Sequence, residues 1–333
     1  MKKIAILGCG AMGTALGAYL AKGGLLVDMV DAYESHVRTL NETGAHVLGR
    51  EEFTVPVKAI LPEQMDGIYD LVFLMTKQTV NEIVLGNLLP HLGKDSVVCT
   101  LQNGVPEPFV AQIVGAERTV GGTIQWGATF RGPGVTEVTS DLPTKREKNV
   151  TLFTVGEMDG SVTPRVEEIA SVLNRMGRTE ISTTLMDARW SKLLYNCCAS
   201  GMSTVCGSPF SCFLGGGRAL ECLVQIAREV AQCAIAEGRT MNATLMERLP
   251  DMEIAGKHFC GVYAAAADGK ASMLQDLEAG RITEVDMLNG YVCAVGKKHG
   301  IATPYNDAVV SIVHRQEKGE LPLSPENLQY FPN

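Results

Sequence analysis

The strongest constraint on this chain lies at its start. Ile4–Leu7 is a short apolar run, and Gly8-Cys9-Gly10-Ala11-Met12-Gly13 follows at once. Thr14–Lys22 is rich in Ala and Leu and closes at Gly23-Gly24, and Leu26–Val30 is a second apolar run ending on Asp31. This order predicts strand, glycine turn, helix and strand, a parallel βαβ unit. Each glycine has its own task there: Gly8 allows the tight turn, Gly10 lets backbone approach a pyrophosphate, and Gly13 lets the helix pack close to the sheet. The helix start offers unpaired N–H groups and a positive dipole end, so residues Gly8, Cys9, Gly10, Ala11, Met12 and Gly13 form the predicted phosphate cradle. The bland alternative is an ordinary glycine-rich turn, and the flanking strand, helix and acid weigh against it. Asp31 stands where a carboxylate can accept hydrogen bonds from a ribose 2′-hydroxyl and would repel a 2′-phosphate. That favours NAD over NADP. A simple strand-end acid is the other reading.

The alternation continues along the chain. Apolar strands are expected at 70–76, 96–101 and 119–124, with helices at 80–89 and 109–114 between them. Runs at 135–138 and 150–155 fit antiparallel strands, and 162–176 reads as a helix before a last strand at 178–182. Beyond about residue 184 the pattern becomes helical: 186–199, 218–237, 272–279, 283–299 and 304–319. The expected fold is therefore an α/β Rossmann-like dinucleotide-binding domain over 1–183, then an all-helical substrate and catalytic domain over 184–333. The tail from Leu321 reads as an irregular surface segment.

Composition narrows the function. Lys and Arg total 29 against 37 Asp and Glu, a net charge of −8. A nucleic-acid binder or a binder of anionic membranes would need a basic face, so neither is expected. A small anionic substrate needs only a few local donors. No CxxC pair and no Cys/His cluster of zinc spacing occurs among the ten cysteines, so no metal site is expected, and free thiols in a reducing cytoplasm are. The apolar run after Lys2-Lys3 is too short for a signal core.

Lys77 and Asn103 follow predicted strands, in the crevice where open α/β sheets bind ligands. A solvated lysine and a turn asparagine are the alternatives. A second constellation is Trp190-Ser191-Lys192-Leu193-Leu194-Tyr195-Asn196. Lys192 and Asn196 share a helix face, which Ser200 continues if the helix does. Apolar neighbours would lower the lysine pKa and prepare it for proton transfer, unless it merely snorkels to solvent. Ser272 with Gln275 has capping-box spacing, and Glu284 would lie in the first turn of a helix, so both have structural explanations.

With these residues in view, the chain resembles the ketopantoate reductases (2-dehydropantoate 2-reductases) over nearly its whole length. The resemblance rests on GCGAMG at 8–13, Lys77, QNG at 102–104, WSKLLYN at 190–196, SMLQD at 272–276, GRITEVDMLNG at 280–290 and GIATPYN at 300–306. It implies an enzyme with a Rossmann domain, a helical domain and an active site between them. The implied reaction is NAD(P)H-dependent reduction of ketopantoate to (R)-pantoate, a step of pantothenate and coenzyme A biosynthesis. Carried over by motif, Lys192 is the general acid and Glu284 helps to hold cofactor and substrate. Lys77 belongs to the cofactor site, and Asn103, Asn196, Ser200 and Ser272 are the implied substrate or cofactor contacts. Two positions depart from the pattern: Ser200 stands where many members have a second Asn, and no Lys or Arg occurs from 25 to 37, where NADPH users favour a basic residue. Reduction of another branched 2-oxo acid to a D-2-hydroxy acid is the alternative within enzymes. A nucleotide-binding protein without chemistry is the minor one. Assembly as a homodimer is left open.

Overall fold

The computed structural model describes residues 2–332. They divide into two compact units: the described residues of Met1–Gln102 with Pro106–Leu185, and those of Asn103–Val105 with Met186–Asn333. The first unit is an α/β domain and the second is helical.

In the first unit, β1 (Ile4–Leu7), β2 (Val27–Val30), β3 (Ala45–Gly49), β4 (Phe53–Val55), β5 (Lys58–Ile60), β6 (Tyr69–Leu74), β7 (Leu92–Thr100), β8 (Thr119–Ile124), β9 (Ala128–Gly132), β10 (Val135–Val138), β11 (Phe153–Gly156) and β12 (Thr179–Ile181) form two sheets. The larger has the order β12-β11-β8-β7-β6-β1-β2-β5. Its six strands from β8 to β5 run parallel, and β11 is antiparallel to β8. Chain order reverses beside β1, which lies between β2 and β6, and such a switch point opens a crevice at the strand ends. Helices α1 (Ala11–Lys22), α2 (Glu34–Thr43), α3 (Asn81–Leu88), α4 (Glu107–Val114), α5 (Leu142–Glu147) and α6 (Pro164–Leu173) complete the unit.

Of the smaller sheet, β4-β3-β10-β9, only β10 was expected, as the run at 135–138. The other three strands are short and largely half-exposed, so they carry little apolar signal. The parallel pairing of β10 with β3 is long-range. This sheet packs on α1, where Thr136 Oγ1 donates to the Ala11 carbonyl at 2.8 Å.

The second unit holds α7 (Leu185–Tyr195), α8 (Gly201–Cys206), α9 (Ser211–Leu214), α10 (Gly217–Ala236), α11 (Ala243–Arg248), α12 (Met252–Tyr263), α13 (Ser272–Glu278), α14 (Asn289–His299) and α15 (Pro304–Glu317). Its core centres on α10, whose side chains from Ala219 to Ala234 are largely buried. Four expectations differ from what the structure shows. The helix expected over 186–199 changes at Asn196 into a π-helix through Ser200, then resumes as α8. The capping box at Ser272 does not form, because Ala271 is the N-cap residue and Gln275 Nε2 donates to the Lys270 carbonyl at 3.0 Å. Glu284 does not start an α-helix: it precedes a 3₁₀ turn at Val285–Met287, and α14 begins only at Asn289. The C-terminal segment is also more anchored than an irregular surface tail. Pro325–Tyr330 forms a 3₁₀ helix, and buried Asn327 donates to the Val205 carbonyl at 3.0 Å.

Candidate active site

The glycine turn meets each demand placed on it. Gly8 has φ of +90°, and a Cβ there would lie 2.6 Å from the Thr76 amide nitrogen. A Cβ on Gly13 would lie 2.0 Å from the Gly8 carbonyl oxygen, so only glycine lets α1 approach this closely. A Cβ on Gly10 would meet nothing within 4 Å. That open volume is where the N-terminal amides of α1 are offered, and no acidic residue lies in the first turn to oppose an anion. These features fit the pyrophosphate of a dinucleotide. Ala11 and Met12 lie in that first turn, partly buried.

Cys9 differs from the other residues of the cradle. Its thiol is fully buried, and burial, with the Asp31 carboxylate beside it, pushes its pKa well above the ordinary thiol range. Its backbone N–H donates to Asp31 Oδ2 at 2.7 Å, so it holds the acid in place. The Tyr33 N–H donates to Asp31 Oδ1 at 2.9 Å.

A histidine that the sequence reading passed over locks the same loop. The Gly134 N–H donates to His36 Nδ1 at 2.9 Å, which assigns the ring proton to Nε2. Nε2 then donates to Thr14 Oγ1 at 3.0 Å, and Thr14 Oγ1 donates to the Cys9 carbonyl at 2.6 Å. Burial lowers the His36 pKa, with Asp31 opposing in part, and the neutral ring fits this network. A lone histidine in a helical segment carries no sequence signal of such a role.

Lys77 and Asn103 follow the adjacent strands β6 and β7. Lys77 is exposed and Asn103 partly buried. Asn103 clusters with the second unit rather than with the strand that leads to it. Buried Gln102 ties the ends of these strands together: its Nε2 donates to the Thr76 carbonyl at 2.9 Å and to Asn81 Oδ1 at 2.6 Å. The QNG motif was the available signal for it.

In the second unit, Lys192 lies on α7, Asn196 opens the π-turn and Ser200 closes it. Four residues of a π-turn wind through about one full circle, so Ser200 follows Asn196 on nearly one line. Lys192 is partly buried. Burial, with like charge from fully buried Arg189 one turn earlier, brings its pKa down to about 8. Such an ammonium is still largely protonated at neutral pH and gives up its proton readily. Ser272 is exposed at the start of α13, which packs on the π-turn and α8, and the Ala271 N–H donates to Ser203 Oγ at 3.4 Å. Glu284 is only 4% exposed. Its segment is fixed by Thr283, whose N–H and Oγ1 both donate to Glu317 Oε1 at 2.8 Å. Among the described residues, no group of His, Cys, Asp and Glu could hold a metal ion, and no helix is long and apolar enough to cross a membrane.

Residues 4–148 match the family model "Ketopantoate reductase PanE/ApbA", and residues 184–317 match "Ketopantoate reductase PanE/ApbA C terminal". The 2-dehydropantoate 2-reductase of Lactococcus lactis subsp. lactis (strain IL1403) is 27% identical over 322 residues, spanning 95% of this chain and 98% of that protein. The crystal structure of 2-dehydropantoate 2-reductase from Geobacter metallireducens GS-15 is 27% identical with a TM-score of 0.81, covering 94% of this chain and 99% of that one. The ternary structure of D-mandelate dehydrogenase with NADH and anilino(oxo)acetate has a TM-score of 0.82 at 24% identity, covering 95% and 99%. The glycine cradle, the lysine helix and these matches together make the chain a member of the ketopantoate reductase PanE/ApbA family, an NAD(P)-dependent 2-oxo-acid reductase.

Proposed function

We propose that the protein reduces ketopantoate to (R)-pantoate with NADH as the preferred reductant. The observation that carries the chemistry is Lys192, partly buried and brought to a pKa of about 8, four residues before Asn196 on one helical run. Bound NADH supplies the hydride that reduces the ketone carbon. The residues of the chain do the rest. The amides of Gly10, Ala11, Met12 and Gly13 hold the pyrophosphate, and Asp31 accepts from the adenosine ribose. Lys77 and Asn103 border the nicotinamide end. Asn196, Ser200 and Ser272 orient the 2-oxo acid, and Glu284 holds cofactor and substrate. Negative charge develops on the carbonyl oxygen as the hydride arrives, and the Lys192 ammonium stabilises that charge and gives up its proton to it.

A second reading is a reductase of a different 2-oxo acid, giving a D-2-hydroxy acid. Ser200 favours it, because a hydroxyl reaches less far than an amide and leaves room for a different substrate side chain. The test is a panel of ketopantoate and other branched or aryl 2-oxo acids, each with NADH and NADPH. The highest kcat/KM with ketopantoate supports the first reading, and a different preferred acid supports the second. No reduction of any 2-oxo acid refutes both.

A further inference from the structure

The π-turn at Asn196–Ser200 is an unusual piece of backbone, and the molecule supports it with side chains. Three carbonyls at and beside it accept hydrogen bonds from side chains. Tyr263 Oη of α12 donates to the Tyr195 carbonyl at 3.2 Å. Asn289 Nδ2, at the start of α14, donates to the Cys197 carbonyl at 3.3 Å. Thr204 Oγ1 of α8 donates to the Ser200 carbonyl at 2.7 Å.

Asn289, like Thr204, has no solvent exposure. Its Nδ2 also donates to Asn306 Oδ1 at 2.9 Å. Both neighbours are oxygens, so the amide can present only its nitrogen to them. Its own Oδ1 is buried without a hydrogen-bond partner. A leucine of similar volume would carry no unpaired oxygen; what it would lack is the donor to Cys197 and to Asn306. The chain of bonds continues. Asn306 Nδ2 donates to Glu229 Oε2 at 2.7 Å, and the Tyr305 and Asn306 amides, both at 2.9 Å, donate to Glu229 Oε1 and Oε2. A buried carboxylate on α10 thus fixes the start of α15, Asn306 fixes Asn289, and Asn289 reaches the turn. The LNG and PYN portions of the two C-terminal motifs supply these links.

We propose that Asn289 is a positioning residue for the reduction, acting through the Cys197 carbonyl to hold the π-turn that carries Asn196 and Ser200. The inference rests on the reading above that those two side chains bind the 2-oxo acid. Without the donor, the turn relaxes toward ordinary α-helical winding, and Ser200 is rotated relative to Asn196.

The test compares Asn289→Leu, Asn196→Ala and their double variant in the full chain. Steady-state kinetics use NADH and the 2-oxo acid that wild type reduces best. Hydrogen–deuterium exchange is followed separately on the ligand-free protein. Asn289→Leu is expected to raise the KM for the 2-oxo acid about tenfold and leave kcat and the Kd for NADH within about twofold, while amides over 196–201 exchange about tenfold faster. The double variant should have the KM of Asn196→Ala alone, because one acts through the other. Unchanged exchange over 196–201 overturns the proposal, as does a wild-type KM in Asn289→Leu when Asn196→Ala raises it. If Asn196→Ala itself keeps a wild-type KM, the reading of substrate binding is what fails, and the exchange result still decides whether Asn289 holds the turn. Should Asn289→Leu not fold, Asn289→Ala removes the same donor without the bulk of leucine. Faster exchange over 196–201 then supports a side-chain-held turn, and unchanged exchange refutes it.

Discussion

The Cys9 amide and the Asp31 carboxylate are joined by a hydrogen bond of 2.7 Å, which ties the acid at the end of β2 to the second residue of the glycine turn. With the Tyr33 amide on its other oxygen at 2.9 Å, Asp31 cannot swing away without breaking both bonds. Each carboxylate oxygen still has a lone pair for a further donor. The acid is therefore a fixed negative charge at the place where a dinucleotide's ribose is expected.

Cofactor preference follows from that fixed charge. A 2′-phosphate would face Asp31 with no Lys or Arg between residues 25 and 37, and Arg38 is exposed on α2. Like charges held in a site cost enough for a preference of about a hundredfold. We expect kcat/KM with NADH to exceed that with NADPH by about this factor, and Asp31→Asn to narrow the gap. Equal values in the wild type, or a preference for NADPH, would sink the prediction.

Lys192→Ala is expected to lower kcat by about 10²–10⁴-fold, the range for loss of a positioned acid, with the Kd for NADH little changed. The pH dependence has a definite sign. The donor must carry its proton, so kcat/KM for reduction should fall as pH rises through about 8 in the wild type. A near wild-type rate in the alanine variant would remove Lys192 from the mechanism.

Ser272 is not the N-cap residue of α13, and the Glu284 side chain makes no cap bond to the 3₁₀ turn it precedes. If Glu284 holds cofactor and substrate, Glu284→Gln should reduce kcat/KM while the Tm stays nearly constant. Ser272→Ala should raise the substrate KM and cost less than the about 0.5–2 kcal/mol that loss of a true N-cap carries. Unchanged kinetics in both variants would assign these residues a purely structural role.

His36 gives stability an acid-side dependence. Its ordinary pKa of 6.5 is lowered in the fold by burial, so below that pH the unfolded chain binds more protons than the folded one. The neutral ring's contribution is fully present above pH 6.5 and is lost as pH falls toward the lowered value. The decrease in Tm from pH 7.5 to pH 5.5 should be larger in wild type than in His36→Gln. The same decrease in both would place its origin elsewhere.

What the sequence determined by itself is local. The glycine turn, α1 and Asp31 lie within one βαβ unit, and their spacing alone dictates strand, turn, helix and acid. The helical character after residue 184 was legible for the same reason, since apolar periodicity reports which face of a segment is buried. Tertiary structure decided the rest. The run at 135–138 was legible as a strand, but its parallel pairing with β3, far away in sequence, was not. His36 became a lock on the cradle only when Gly134 and Thr14 were brought to its two nitrogens. The regular helix expected over 186–199 became a π-turn where Asn289, 92 residues from Cys197, delivers a donor to a backbone carbonyl. Periodicity records the apolar face of each element, but a buried polar group takes its partner from whichever distant element packs beside it, and that choice is made only when the chain folds.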